Sequence, residues 1–234
     1  MGVSPTSQLA IVPLMLPASF DPLKDFTFLA SCLNNMGGIC VKSDSPFKTL
    51  QDLIDYARKN PEQVTYSSPG VGGLLHLAVE MLGKQANVKF KHVPYKGGAP
   101  ASTALLGGHV MFTGGAGIHE KYVKQGLFRM LASVLSEERN PEFPDVPTLK
   151  ELGYSDLPPN LNVAYGPRGL PEPVAKKLES AFIKAAQSAE FRKFAANIGM
   201  TMAIRSKAEI DAGYPELCNF YARIVKDLGL EKKK

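Results

Sequence analysis

The sequence predicts an α/β fold, and three observations predict it. Strand-like and helix-like runs alternate along most of the chain. Residues 63–106 spell one β-α-β-α unit around a glycine-rich turn. Eighteen prolines and 21 glycines are scattered rather than clustered, so many short loops separate the elements. Alternation of this kind implies a largely parallel sheet with helices on both faces.

Residues 9–20 are apolar and proline-broken, and Asp21-Pro-Leu-Lys-Asp25 makes a turn. Phe26–Ala30 and Gly38–Val41 read as strands. Ser45-Pro46 caps and turns into a helix over Thr49–Arg58, where Leu50, Leu53, Ile54 and Ala57 recur at helical spacing. Asn60-Pro61 stops it. A strand over Gln63–Tyr66 enters the turn Tyr66-Ser-Ser-Pro-Gly-Val-Gly-Gly73, and a helix begins near Leu74. A strand over Val88–Val93, a Pro-Tyr-Lys-Gly-Gly turn and a helix over Pro100–Leu106 follow. Strand His109–Thr113 runs into Gly114-Gly-Ala-Gly117. Helix Ile118–Gln125 and strand Phe128–Val134 come next.

After an extended loop, Thr148 is expected to cap a short helix ending at Gly153. Asn162–Tyr165 reads as a strand, and Pro173–Ala186 and Glu190–Ile198 as helices with Leu178, Phe182, Ala185 and Phe194 in the core. Met200–Ile204 is a strand. Ser206 opens a final helix interrupted near Gly213-Tyr-Pro215.

The glycine-rich turn is the chemically pointed feature. A turn that opens a helix leaves backbone N–H groups unpaired and aimed outward, where they can hold an anion. The expectation is a carboxylate or phosphate held by bare amides at Gly70–Gly73. A net charge of +5 favours small anions, but no dense basic run interleaves with aromatics, so nucleic acid is not an expected partner. Lys232-Lys-Lys234 reads as a solvated tail.

Cys32, Cys40 and Cys218 lack metal-ligand spacing and read as buried free thiols. His92, His109 and His119 lack the spacing of a metal cluster, and no cofactor is implied. His76 reads as a packing or capping residue, since no nucleophile pairs with an oriented base nearby. Lys96 reads as a solvated amine that could steer anions. No apolar run reaches the roughly 20 residues that span a bilayer, and Met1–Ser7 lacks the features of a secretory signal.

Seven segments in order resemble the substrate-binding proteins of tripartite tricarboxylate transporters, the Bug family. They are Phe20-Asp-Pro-Leu-Lys-Asp-Phe26, Tyr66–Ala78, His92-Val-Pro-Tyr-Lys-Gly-Gly-Ala-Pro100, Leu105-Leu-Gly-Gly108, Leu131-Ala-Ser133, Phe143-Pro-Asp-Val-Pro-Thr148 and Gly166-Pro-Arg-Gly-Leu-Pro171. The resemblance runs from about Ser4 to Leu230. It implies a two-lobed type II periplasmic-binding-protein fold whose lobes close on a ligand. The second lobe would span residues 41–167, and the first would combine 1–40 with 168–234. Family members open with a signal peptide, a strand, a Pro-Gly-Gly-type loop, a helix and a second strand. None of these precedes Ser4 here, so the first lobe is expected to be incomplete, with a homodimer through that lobe as one consequence. Members also carry hydroxyl side chains where this chain has Gly73 and Leu74.

On this resemblance the expected ligand contacts are Ser67, Ser68, Gly70, Gly72 and Gly73 at the turn, Thr113 and Gly114 after the following strand, Ser7 beside Ser4 and Thr6, and Asn162 beside Asn160 and Tyr165. The function implied is a non-catalytic periplasmic receptor that captures a small carboxylate and delivers it to the membrane components of a tripartite transporter. An enzyme of the same fold acting on an anionic substrate and an orphan domain without ligand binding are the alternatives.

Overall fold

A computed structural model describes residues 1–136 and 138–232, which leaves Lys233 and Lys234 of the basic tail outside the description. Along the chain come β1 (Gly2–Pro5), α1 (Thr6–Met15), β2 (Phe26–Asn35), β3 (Gly37–Lys42), α2 (Leu50–Lys59), β4 (Thr65–Ser68), α3 (Leu74–Ala86), β5 (Lys91–Pro94) and α4 (Gly98–Leu106). Then follow β6 (Phe112–Ala116), α5 (Ile118–Lys124), β7 (Phe128–Val134), β8 (Asn160–Pro167), α6 (Glu172–Ala186), α7 (Ala189–Asn197), β9 (Thr201–Ser206) and α8 (Lys207–Asp227). The chain divides into two compact units, one of residues 1–35 with 160–234 and one of 36–159. This divide falls a few residues earlier than the one expected at 40/41 and 167/168. Asn35 and Asn160 face each other in a ladder, so the chain leaves and re-enters the first unit at that pair.

The first unit holds a four-stranded sheet in the order β1-β8-β2-β9, antiparallel throughout. β1, α1 and β2 form a crossover with β8 inserted between the two strands. β1 is an edge strand, and its Val3 is 65% exposed. Helices α6 and α8 pack on β2, and α1 packs on α8. The second unit holds a five-stranded sheet, β5-β4-β6-β3-β7. There β4 pairs in parallel with β5 and β6, while β3 is antiparallel to β6 and β7. The α/β class stands, but strand direction is mixed rather than mostly parallel. Crossover helix α3 joins the neighbouring parallel strands β4 and β5, and α4 carries the chain from β5 across β4 to β6, whereas β3 enters the sheet from the other unit and runs against its neighbours.

Several local expectations change for physical reasons. Residues 6–15 are helical despite Pro13, which removes one ladder hydrogen bond. The final helix runs unbroken through Pro215, because Pro215 and Asp211, whose carbonyl loses its partner, both face water. Thr49, not Ser45, caps α2, through a capping box with Asp52. Residues 149–153 form turns rather than a helix, although Thr148 and Glu151 make the reciprocal bonds of a cap. Phe194 is 51% exposed and Ala185 is exposed; Ala175, Ala186 and Ala195 are the buried faces of α6 and α7. Of the cysteines, which are free, Cys40 is buried, while Cys32 and Cys218 are half-buried.

The core of the second unit gathers Cys40, Ala104, Leu105, Val110, Phe128 and Met130. Glu120 of α5 is buried nearby and accepts a hydrogen bond from Asn140 Nδ2 at 3.1 Å. Burial pushes its carboxyl up to about 7, partly offset by Lys124 and Asn140. The unfolded chain loses this proton near 4.5 while the folded chain keeps it, so stability falls as pH rises between those values. Glu120→Gln is therefore expected to gain about 1–2 kcal/mol at pH 8 and nothing at pH 4, read by thermal unfolding at both. Equal effects at the two pH values would show that Glu120 is ionised in the fold.

Candidate functional site

β4 sits between β5 and β6, so its C-terminal end opens onto the carboxyl edge of the parallel strands, where open α/β sheets bind ligands. Chain leaving this edge turns through Pro69–Gly73 into α3. The neighbouring turn after β5 is tied to it: Tyr95 N–H donates to the Ser68 carbonyl and Gly97 N–H to the Pro69 carbonyl, both at 3.0 Å. The turns that open α3 and α4 are therefore tied together at this edge, while the helices pack on opposite faces of the sheet, α3 over Tyr66 and Gly114 and α4 over Ser67. Neither has a side-chain cap or an acidic residue in its first turn. Elsewhere Thr49, Ser188 and Ser206 cap α2, α7 and α8.

Three of the four amides expected to be bare are not, Val71 being the exception. Gly70 N–H donates to Ser68 Oγ at 3.3 Å, Gly72 N–H to His76 Nδ1 at 3.0 Å, and Gly73 N–H to the Gly70 carbonyl at 3.4 Å. Gly72 is held at φ 71°, a left-handed conformation that glycine alone adopts without strain. With Gly73 as the N-cap, the amides of Leu74, Leu75 and His76 join that of Val71 as donors that show no hydrogen bond among the described residues. An anion receptor built here uses the first turn of α3, up to three residues beyond the glycines. Counting from the cap, rather than from the glycines, would have found these donors in the sequence.

Ser67 and Thr113, two expected contacts, are brought together in full burial. Ser67 Oγ donates to the Ala101 carbonyl at 2.9 Å and lies 2.9 Å from Thr113 Oγ1, which in turn donates to the Ser67 carbonyl at 3.1 Å. Gly114 lies inside β6, not in a loop, because the strand begins three residues later than expected. A Cβ there would meet Val79 Cγ2 at 3.1 Å and the Leu75 carbonyl at 3.2 Å. Its lack of a side chain lets α3 approach the sheet.

Beneath the turn lies a column of rings that sequence reasoning missed. His76 stacks on His92 with centroids 4.1 Å apart, His92 on Tyr66 at 4.7 Å, and Tyr66 on Phe112 at 5.2 Å. Tyr66 OH donates to Glu80 Oε1 at 2.6 Å. His92 Nε2 lies 2.7 Å from Ser68 Oγ, a nucleophile–base spacing that the sequence did not reveal. Ser68 is fully buried, and its hydroxyl also bonds both backbone groups of Gly70, so the pair acts as a strut. Burial holds both imidazoles down at about 4. Lys96, on the adjoining turn, is exposed.

In the first unit, α1 also starts without a side-chain cap or an acidic residue. Ser7 N–H donates to Asn160 Oδ1 at 3.3 Å, and Asn35 Nδ2 to the Asn160 carbonyl at 3.2 Å. Thr6 Oγ1 is buried with no hydrogen-bond partner among the described residues. Asn162 pairs in register with Pro5 at the helix start, and its amide reaches Met200 Sδ at 3.7 Å. Ser7, Thr6, Asn160 and Asn162 thus meet at one helix N-terminus.

A pocket of about 530 Å³, lined by Ser136, Lys150, Tyr154, Asp156 and Leu157 among others, shares no residue with these sets. The carboxylate of Asp156 inside it opposes an anionic guest. No group of three His, Cys, Asp or Glu side chains among the described residues is placed to hold a metal ion. No helix of the described residues is long and apolar enough to cross a membrane.

Residues 3–230 match the family described as the tripartite tricarboxylate transporter family receptor, TctC. A UPF0065 protein of Cupriavidus necator is 36% identical over 221 residues, covering 94% of this chain and 67% of the relative. Two further UPF0065 proteins, from Pseudomonas sp. and Bordetella pertussis, are spanned over 44% and 60% of their lengths. Among solved structures, a TctC solute-binding protein from Polaromonas superposes with a TM-score of 0.81 at 25% identity, over 96% of this chain and 77% of that one. A Rhodopseudomonas palustris protein solved with adipate shares the fold, with a TM-score of 0.83 at 24% identity, over 99% of this chain and 78% of that one. Fold, motif order and the family match over nearly the whole length agree, and the chain belongs to the TctC family of tripartite tricarboxylate transporter receptors.

Proposed function

We propose that this chain is a solute-binding receptor, not an enzyme, that holds a small carboxylate for a tripartite transporter in the periplasm. The observation that carries this reading is the start of α3 at the carboxyl edge of the parallel strands, uncapped, free of acidic residues and tied to the equally uncapped turn that opens α4. A carboxylate bound there accepts from the amides of Leu74, Leu75 and His76. The positive end of the helix dipole adds about 0.3–1 kcal/mol. The exposed ammonium of Lys96 draws anions toward the turn. Gly70, Gly72 and Gly73 shape the seat, and Ser67, Ser68, Thr113 and Gly114 brace it from below. Thr6, Ser7 and Asn162 offer a second polar seat in the first unit. Family membership supports the receptor role, and the adipate-bound fold neighbour supplies the first acid to try.

The test is thermal denaturation against a panel beginning with adipate and extending to other dicarboxylates, tricarboxylates, amino acids and aromatic acids. A ligand at 100 times its dissociation constant is expected to stabilise the protein by about 2.7 kcal/mol. No shift with any acid at millimolar concentration would overturn the receptor reading in favour of a domain without ligand. Conversion of a bound acid to product, followed by NMR, would favour the enzyme reading instead.

A further inference from the structure

The glycine turn is tied down from within by two imidazoles. His76 Nδ1 accepts the Gly72 N–H from one turn of helix away. That bond requires Nδ1 to be unprotonated, so the neutral ring carries its hydrogen on Nε2. His92 reaches the same turn through Ser68, whose Oγ contacts His92 Nε2 at 2.7 Å and also accepts the Gly70 N–H. One ring thus anchors Gly72, the other anchors Gly70, and the two rings lie flat against each other at 4.1 Å. Between these anchors and the three free amides of α3 there is only Gly73, so the direction of the donors follows the anchored turn.

We propose that the His76–His92 stack is a positioning device for the anion-binding turn, and that acidification releases it by converting His76 Nδ1 from acceptor to donor. Once protonated, Nδ1 can no longer receive the Gly72 N–H, and the left-handed Gly72 loses the bond that holds it. The groups that face the stack are Glu80 on α3 and Tyr66 on β4, with His92 itself on β5. Tyr66 occupies Glu80 Oε1 with its hydroxyl and covers the second face of His92, so the carboxylate is already engaged. Two rings at this separation cannot both take a charge without strong repulsion. Burial keeps each neutral until about pH 4. The folded values lie below the ordinary histidine value of 6.5, so the unfolded chain takes up protons first. Stability contributed by the neutral pair is therefore complete above about pH 6.5 and declines as pH falls toward 4.

This inference rests on the receptor reading only for its ligand arm, and the decisive measurement needs no ligand. In ¹⁵N-labelled ligand-free protein, the His76 Nδ1 resonance is expected to report an unprotonated acceptor from pH 8 to 5. The Gly72 amide should keep its protection factor, relative to the intrinsic exchange rate at each pH, over the same range and lose it at least tenfold once His76 titrates. His76→Asn places a carbonyl oxygen near the position of Nδ1 and should preserve most of the Gly72 protection. His76→Gln places its oxygen nearer Nε2 and should lose it at least tenfold. Any acid that binds the wild type should lose at least tenfold in affinity in His76→Gln and recover in His76→Asn. Equal Gly72 protection in wild type and His76→Gln, or protection unchanged through the His76 titration, would overturn the proposal. If His76→Gln fails to fold, the wild-type tautomer and the Asn variant still decide it. If no acid binds any variant, the receptor reading fails while Gly72 exchange still tests the anchor.

Discussion

Tyr66→Ala is expected to destabilise the protein by about 3–5 kcal/mol, the usual cost of truncating a fully buried aromatic side chain. Tyr66 has no solvent exposure and sits between the His92 and Phe112 rings, with its hydroxyl on Glu80. Truncation removes the ring contacts and leaves a void on β4, which is flanked by β5 and β6. Tyr66→Phe keeps the column and gives up only the hydroxyl bond to Glu80, so its cost should be nearer 1 kcal/mol. Denaturant unfolding of both variants separates the two contributions. A loss below 1 kcal/mol for the alanine variant would mean that the column collapses freely onto itself. It would then offer no firm base for the turn above it.

Gly37→Val comes next in size, at about 3 kcal/mol from overpacking. A Cβ at Gly37 would already stand 2.6 Å from Leu75 Cδ2, 2.8 Å from Val134 Cγ2 and 3.1 Å from the Gly115 carbonyl. Leu75 could swing aside, but Val134 is stiff and the carbonyl belongs to a paired strand. Valine favours strands on intrinsic preference, so propensity alone predicts no penalty. The clash also pushes on the first turn of α3, where the free amides lie. Unfolding measurements should show the full loss. Retained wild-type stability would show that α3 can retreat from the sheet without cost.

Much of the architecture was legible in the residues. Strand Phe128–Val134 falls where alternation and flanking glycine place it, and α3 begins at Leu74 as the glycine turn implies. Apolar residues at helical spacing mark the buried face of α2, namely Leu50, Leu53, Ile54 and Ala57. What could not be read were features set by distant partners. The second half of β6, with Gly114 and Gly115, looked like a loop because glycine is a weak strand former. β3 nevertheless supplies a ladder for both, Gly38 opposite Gly115 and Ile39 opposite Gly114. Residues 6–15 looked broken at Pro13, yet packing against α8 and β8 holds them helical. Phe194 looked like core by spacing, but α7 presents Ala195 inward instead.

The binding turn divides in the same way. Its glycines, its position between strand and helix, and its kinship to the TctC receptors are properties of the order of residues, because backbone freedom and local capping are settled within a few positions. Which amides remain free is not. That choice depends on His92, twenty-four residues from Ser68, and on whether His76 turns its ring back over Gly72. Hydrogen-bond partners of this kind are selected by three-dimensional proximity, so only the folded chain could show that the Gly70 and Gly72 amides are already taken and that the seat shifts to the donors counted from the cap.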